Sequence, residues 1–166
     1  MLKMNLQFHA GETTMNARDA VSAKLGSCYV TIGDNRYLLM QLKNIEVKYE
    51  KSKSEVPILG RTTAGNKTNG GKITGSATIY HNTDIFTNMI YQYQETGEDV
   101  YFDMVLTNED PTSAAGVRSV TINGCNIDGT VIAGMDADGD WLEQDIDFTA
   151  ERFDIAKAFA VLSGMQ

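Results

Sequence analysis

VKYEKSKSEVPILGRTTAGNKTNGGKITGSATIY, residues 47–80, holds two strand patterns around a polar interval. At its start Ile45, Val47 and Tyr49 alternate with Glu46, Lys48 and Glu50, the period-two pattern of a half-buried strand. At its end Ile73, Ala77 and Ile79 sit among Thr and Ser in a run suited to a pleated surface. Between them, RTTAGNKTNGGK offers one alanine as its only apolar side chain, beside three cations and three glycines. A polar loop of that length is uncommon in a compact domain unless it has a task. Ordering each such residue costs about 1–2 kcal/mol, and this interval has no apolar surface to offset it. The expectation is a protruding arm, mobile in the isolated chain and ordered against a partner. Its candidate contact residues are Gly60, Arg61, Thr62, Thr63, Gly65, Asn66, Lys67, Thr68, Asn69, Gly70, Gly71 and Lys72.

A chain of 166 residues with 42% hydrophobic side chains is long enough for one domain with a real core. Its 22 acidic and 14 basic side chains leave a formal charge of −8, which disfavours gripping a phosphate backbone. The cations concentrate in the arm and its flanks, at Lys48, Lys51, Lys53, Arg61, Lys67 and Lys72. Such an arm suits an acidic surface, including that of a second copy. Two cysteines, Cys28 and Cys125, are too few for a disulfide framework and lie in strand-like runs, so buried free thiols are expected. The first residues, MLKMNLQFHAGETTM, lack the apolar run of a secretory signal. No segment approaches the roughly 20 apolar residues of a membrane helix, so neither secretion nor a membrane partner is expected.

Residues 1–20 read as an extension, partly disordered, with a turn near 16–20; 21–155 as the folded domain; and 156–166 as an apolar tail able to dock. A strand at 28–32 turns at Gly33-Asp34-Asn35 into a return strand. Along that return strand the apolar parity changes from Leu38, Met40 and Leu42 to Ile45, Val47 and Tyr49, which predicts a β-bulge near Lys43 and Asn44. A helix is expected over 83–96, capped by Asn82 or Thr83, with Ile85, Phe86, Met89, Ile90 and Tyr93 on one face and Gly97 ending it. Further strands are expected at 99–107, with a polar loop at 108–116, then at 117–127 and 129–135 about a turn at Asp128-Gly129. The last is expected at 141–153, with Leu142, Ile146 and Phe148 inward.

Motifs for chemistry fail on spacing. Gly65, Gly70 and Lys72 do not reproduce a phosphate-binding loop, which needs a Ser or Thr after the lysine and a following helix. Asp136, Asp138 and Asp140 alternate like the start of a calcium loop, but Trp141 and Asp147 stand where Gly and Glu are required. His9 and His81 have no ligand partners at metal spacing, and no nucleophile elbow is present. No catalytic residue, metal or cofactor is therefore assigned. Glu143, Asp145 and Asp147 form an acidic stripe opposite the apolar face of the last strand. It reads either as a solvated strand face or as the inner wall of a tube, where negative charge keeps a polyanion from adhering.

Residues 51–86, KSKSEVPILGRTTAGNKTNGGKITGSATIYHNTDIF, resemble the tail tube proteins of contractile-tailed phages and of phage-like particles such as defective prophages and R-type bacteriocins. The similarity follows an ordered series: KSEVPILGR, the polar interval with GNKT, and ITGSATIY running into the helix. It extends more loosely through residues 97–101 and DFTAERFDI. What it implies is a mainly β fold with one helix, an antiparallel β-barrel or sandwich of the tail tube type with a long mobile hairpin loop. It further implies a non-enzymatic subunit of hexameric rings stacked around a channel. Partners would be further copies of itself, the tail sheath, baseplate and tape-measure proteins, and DNA in transient, non-specific passage. Assembly in the host cytoplasm and residence in the virion tail or bacteriocin particle follow from the same resemblance. An alternative from the residues alone is a soluble β-sandwich binding module that uses the 60–72 loop for recognition; a hydrolase would need a clustered acid–base pair.

Overall fold

The computed structural model describes residues 14–162 and residue 165. Its strands are β1 (Gly26–Ile32), β2 (Asn35–Leu38), β3 (Leu42–Val56), β4 (Gly65–Tyr80), β5 (Phe102–Glu109), β6 (Val117–Thr130), β7 (Glu143–Ala150) and β8 (Arg152–Lys157), with one α-helix, α1 (Ile85–Thr96), and a single 3-10 turn at Ala17–Asp19 among the described residues. All pairings are antiparallel, in the order β2-β1-β5-β6-β7-β4-β3, with β8 also on β6. The fold is mainly antiparallel β with a single helix.

The sheet turns back on itself about β6, whose first half pairs with β5 and β8 and whose second half pairs with β7. The inner faces share one core: Val30, Met104 and Ile122 from one side, Ile79, Ile146 and Phe148 from the other. Helix α1 closes it with Phe86 and Met89. Phe86 meets Phe102 edge-on with ring centroids 6.1 Å apart, and Phe102 meets Phe148 at 6.2 Å, geometry that adds to the area each ring buries. Gly97 ends the helix in the left-handed region with its N–H on the Tyr93 carbonyl. The helix starts at Ile85 with Asp84 at its N-cap position, making no side-chain cap bond, in place of the expected Asn82 or Thr83. Tyr93 is exposed, because the buried stripe ends one turn earlier.

Three further expectations are corrected. The return strand after Asn35 is two strands in different parts of the sheet: the chain crosses at residues 39–41, burying Leu39 and leaving Met40 85% exposed. The alternation predicted through Leu38, Met40 and Leu42 assumed one uninterrupted strand. The expected bulge is present within β3, with a register shift between Leu42 and Asn44. Next, Asp128-Gly129 is no turn; it lies at a register shift inside β6, which runs on to Thr130, since glycine in a strand serves a bulge as readily as a reversal. Residues 131–142 then form an irregular connection. Finally, the last strand divides at Glu151, and Gln144, not Leu142, takes the buried position beside Ile146 and Phe148.

The polar arm also differs from its expected form. Gly65, Asn66, Lys67, Thr68, Asn69, Gly70, Gly71 and Lys72 are not loop; they are the first half of β4, paired with β3 from Glu50 to Val56. Ladder hydrogen bonds run between backbones and need no apolar side chain, so hydropathy does not register them. A bulge between Ser52 and Lys53 accommodates the extra residue, with Gly70 at φ 153° beside it. Asn69 Nδ2 donates to Ser54 Oγ across the pair at 2.6 Å. The true connection is 57–64, containing Gly60, Arg61, Thr62 and Thr63.

Candidate assembly surfaces

The β3–β4 hairpin leaves the body at a defined point. From Tyr80 back to Ile73, opposite Ala150, β4 is flanked by both β3 and β7. Beyond it, β4 pairs only with β3, although β7 continues into β8 with its register on β6 unchanged: Thr149 faces Asn126 and Arg152 faces Asn123. The hairpin and β8 therefore part like a fork. Tyr49 and Phe153 fill the angle, with ring centroids 6.1 Å apart. From Tyr49 to Pro57 the arm reaches about 26 Å at an ordinary strand rise, and nearly every residue of it is exposed. Among the described residues, no strand pairs the outer edges of β2, β3 or β8. Unpaired edges of this kind invite strand addition.

The arm from Tyr49 to Lys72 carries Lys51, Lys53, Arg61, Lys67 and Lys72 against Glu50 and Glu55, a charge of +3 within a chain of −8, so the remainder carries −11. Lys72 Nζ lies 3.4 Å from Glu50 Oε2. Lys51, Lys53, Arg61 and Lys67 have no ion pair among the described residues. One feature escaped the sequence-based description of a wholly polar arm: its extremity is apolar, with Leu59 fully exposed beside Ile58 and Val56. The run VPIL announces it directly, but it reads as the end of a strand until the reversal is located.

The acidic stripe belongs to a wider polar face. Asp145 and Asp147 are exposed on β7 and Glu143 is half-buried. Opposite them on the same face stand Thr78 and Ser76 of β4, then Asn44 and Glu46 of β3. Thr78 Oγ1 donates to Asp145 Oδ1 at 2.7 Å, and Thr149 Oγ1 donates to Asp128 Oδ1 at 3.2 Å. A shallow groove bounded by Glu46, Thr74, Ser76, Asp128 and Asp147 runs across it. The stripe is partly neutralised: Lys43, at the β3 bulge, donates to Glu143 Oε1 at 2.6 Å. That hydrogen bond raises the Lys43 pKa above its ordinary value, keeping the ammonium charged. Lys48 sits 3.2 Å from Glu46. The alternation of Thr74, Ser76 and Thr78 in TGSAT was the sequence signal for this extension across β4.

Two further segments complete the surface. The 110–116 loop is fastened to the start of the described chain through Asp110, whose Oδ2 accepts from Ser22 N (3.0 Å) and whose Oδ1 accepts from Thr112 N (3.0 Å) and Thr112 Oγ1 (2.6 Å). Ser113 Oγ donates to the Asp19 carbonyl, and Ala160 N donates to the Ala115 carbonyl at 2.8 Å. At the other end, Gln144 Nε2 donates to Thr87 Oγ1 and to the Val131 carbonyl, both at 3.0 Å, pinning the 131–142 connection to the helix.

A family described as "Phage tail tube protein" matches residues 13–156. The chain belongs to the phage tail tube family. The phage-like element PBSX protein XkdM of Bacillus subtilis (strain 168) is 36% identical over 141 residues, which is 85% of this chain and 93% of that one. The uncharacterized protein YqbM of the same organism matches to the same extent. In fold, the chain resembles a component of the sheath-tube complex of the extracellular contractile injection system PVC in its extended state (TM-score 0.62, 11% identity, 83% of this chain and 91% of that one). It likewise resembles the SPP1 tail tube (TM-score 0.59, 9% identity, 86% and 81%). The fork, the free edges and the exposed arm are thus features of a tail tube subunit, a structural component of a tail particle.

Proposed function

We propose that this tail tube protein forms rings of six copies that stack into the inner tube of a contractile tail or tail-like particle. The observation that carries this is the β3–β4 arm, which leaves the body at Ile73 and is paired only with itself. Tube formation gives its exposed edges and tip a destination. Neighbouring copies close each ring by adding strands to the free edges, and the arm bridges subunits and rings through residues 60–72. The polar face containing Glu143, Asp145 and Asp147 lines the channel, where its residual negative charge lets DNA pass without adhering. The sheath surrounds the tube, with baseplate and tape-measure proteins at its end and interior; support comes from the sheath-tube fold neighbour and from a 6-fold symmetrised anti-feeding prophage baseplate whose component shares this fold at TM-score 0.60. The subunit carries out no catalysis, is made in the bacterial host cytoplasm and resides in the tail of the particle.

The test uses the register. Tyr49 and Ile73 face one another, so a two-residue Asn-Gly turn can join them directly in place of residues 50–72. The expected product is a folded protein that forms no tubes under conditions where the full chain does, as judged by electron microscopy. Normal tubes from the shortened chain would refute the role given to the arm. A full chain that stays monomeric at every concentration in sedimentation would instead favour a binding module.

A further inference from the structure

The arm ends in an apolar tip, and the opposite end of the same strand carries an apolar surface. β4 begins beside the tip at Gly65 and finishes at Tyr80, about 50 Å away at strand rise. Tyr80 pairs with Glu143, and His81 N donates to the Leu142 carbonyl, so the 131–142 connection lies at that far end. There Met135 is fully exposed, Trp141 is 74% exposed and Ile132 is 65% exposed, a concentration of free apolar surface that marks an interaction site. The charges match as well. Arg61 follows the tip and Lys53 and Lys67 flank it; Asp136, Asp138 and Asp140 lie among the exposed apolar residues of the connection. None of these six has an ion-pair partner among the described residues.

We infer that the 131–142 connection is the seat for the arm tip of a second copy: Leu59 and Ile58 pack on Met135 and Trp141 while Arg61 approaches the three aspartates. The contact is head-to-tail, using different patches on the two copies, so repeated along one axis it leaves a free patch at each end and propagates. It supplies an axial contact for stacking, and it rests on the tube reading above. The occupant is another copy of this chain, because tip and seat are complementary in both polarity and charge.

The experiment pairs Leu59→Cys with Met135→Cys in one chain. Every substituted side chain is fully exposed, and the native Cys28 and Cys125 are buried, so folding and background thiol chemistry are spared. Mild oxidation of the assembled double variant is expected to give a ladder of covalent multimers on a non-reducing gel; each single variant should give no ladder. Mixing the two single variants should give dimers of one with the other and stop there. A complementary pair, Leu59→Asp and Trp141→Asp, should each abolish stacking, seen as tubes replaced by short species in electron micrographs. Tubes from both Asp variants, or no ladder from an assembled double variant, overturns the seat while leaving the tube reading intact. Absence of any assembly by the unmodified chain overturns both.

Discussion

Gly75 of β4 stands opposite Phe148 of β7, and a methyl group built on it would overlap the Phe148 ring. Phe148 is buried and packed edge-on against Phe102, so it has no free direction in which to yield. Gly71, nearer the arm, is covered in the same way by Tyr49, but Tyr49 is 53% exposed and can swing outward. The two substitutions should therefore differ. Gly75→Ala is expected to cost at least about 1–3 kcal/mol, the usual penalty of overpacking, lowering the thermal midpoint by several degrees. Gly71→Ala should leave the midpoint within about 2 °C of the parent, since a 1 kcal/mol change moves a domain of this size by about 2–4 °C. Calorimetry on both variants checks this; equal losses would mean that Tyr49 is as fixed as Phe148. The thiols belong to this scale too. Burial pushes Cys28 up to about 11 and Cys125 up to about 12, so at neutral pH both remain protonated and poor nucleophiles.

Among the elements, the 110–116 loop is anchored at its first residue by the Asp110 carboxylate and further along by Ser113 and Ala114, which donate to the Asp19 carbonyl and carboxylate. Hydrogen bonds from the Thr112 hydroxyl and N–H and from the Ser22 N–H hold Asp110 below the ordinary carboxylate value. A depressed folded-state pKa contributes stability above the unfolded value, near 3.9, and loses it as pH falls through the folded value. Acidification below about pH 4 should therefore release residues 19–22 and the loop before the core yields. Hydrogen exchange at Ser22 and Thr112 checks it: protection there should fall at low pH while β6 stays protected, and Asp110→Asn should remove the pH dependence. Much of this architecture was legible in the sequence. Gly33-Asp34 gave the first hairpin, the spacing of Phe86 and Met89 gave the helix, and the parity of Asp145 and Asp147 gave their outward face. What escaped were events that leave no mark in hydropathy. The sheet crossing at residues 39–41 looks like one strand with a parity error, and Gly129 looks like a turn because a bulge and a reversal call for the same residue. Backbone pairing of residues 65–72 was hidden for the same reason: its side chains are polar on both faces.

For the whole molecule, charge sets opposing demands on assembly. Each chain carries −8, and its body without the arm carries −11, so like copies repel at long range, while the +3 arm is attracted to a neighbour's acidic surface at contact. These two terms differ in reach, and salt separates them. At 10 mM ionic strength the screening length is about 30 Å, comparable with the molecule itself, so repulsion between bodies acts nearly in full. Near 150 mM it falls to about 8 Å, which removes most of that repulsion but spares charges within a few ångströms. At 1 M it is about 3 Å, and the arm's own pairs weaken as well. The apolar packing proposed for Leu59 on a second copy would persist throughout, since it does not depend on screening. The assembled fraction should consequently rise from 10 to about 150 mM salt and level off or decline towards 1 M. Replacing Lys53, Arg61 and Lys67 with Glu should lower that fraction at every concentration, most at low salt. Sedimentation of assembled material across the salt series measures it. A steady fall from the lowest salt upward would mean that attraction between arm and body outweighs the repulsion of the bodies even at long range.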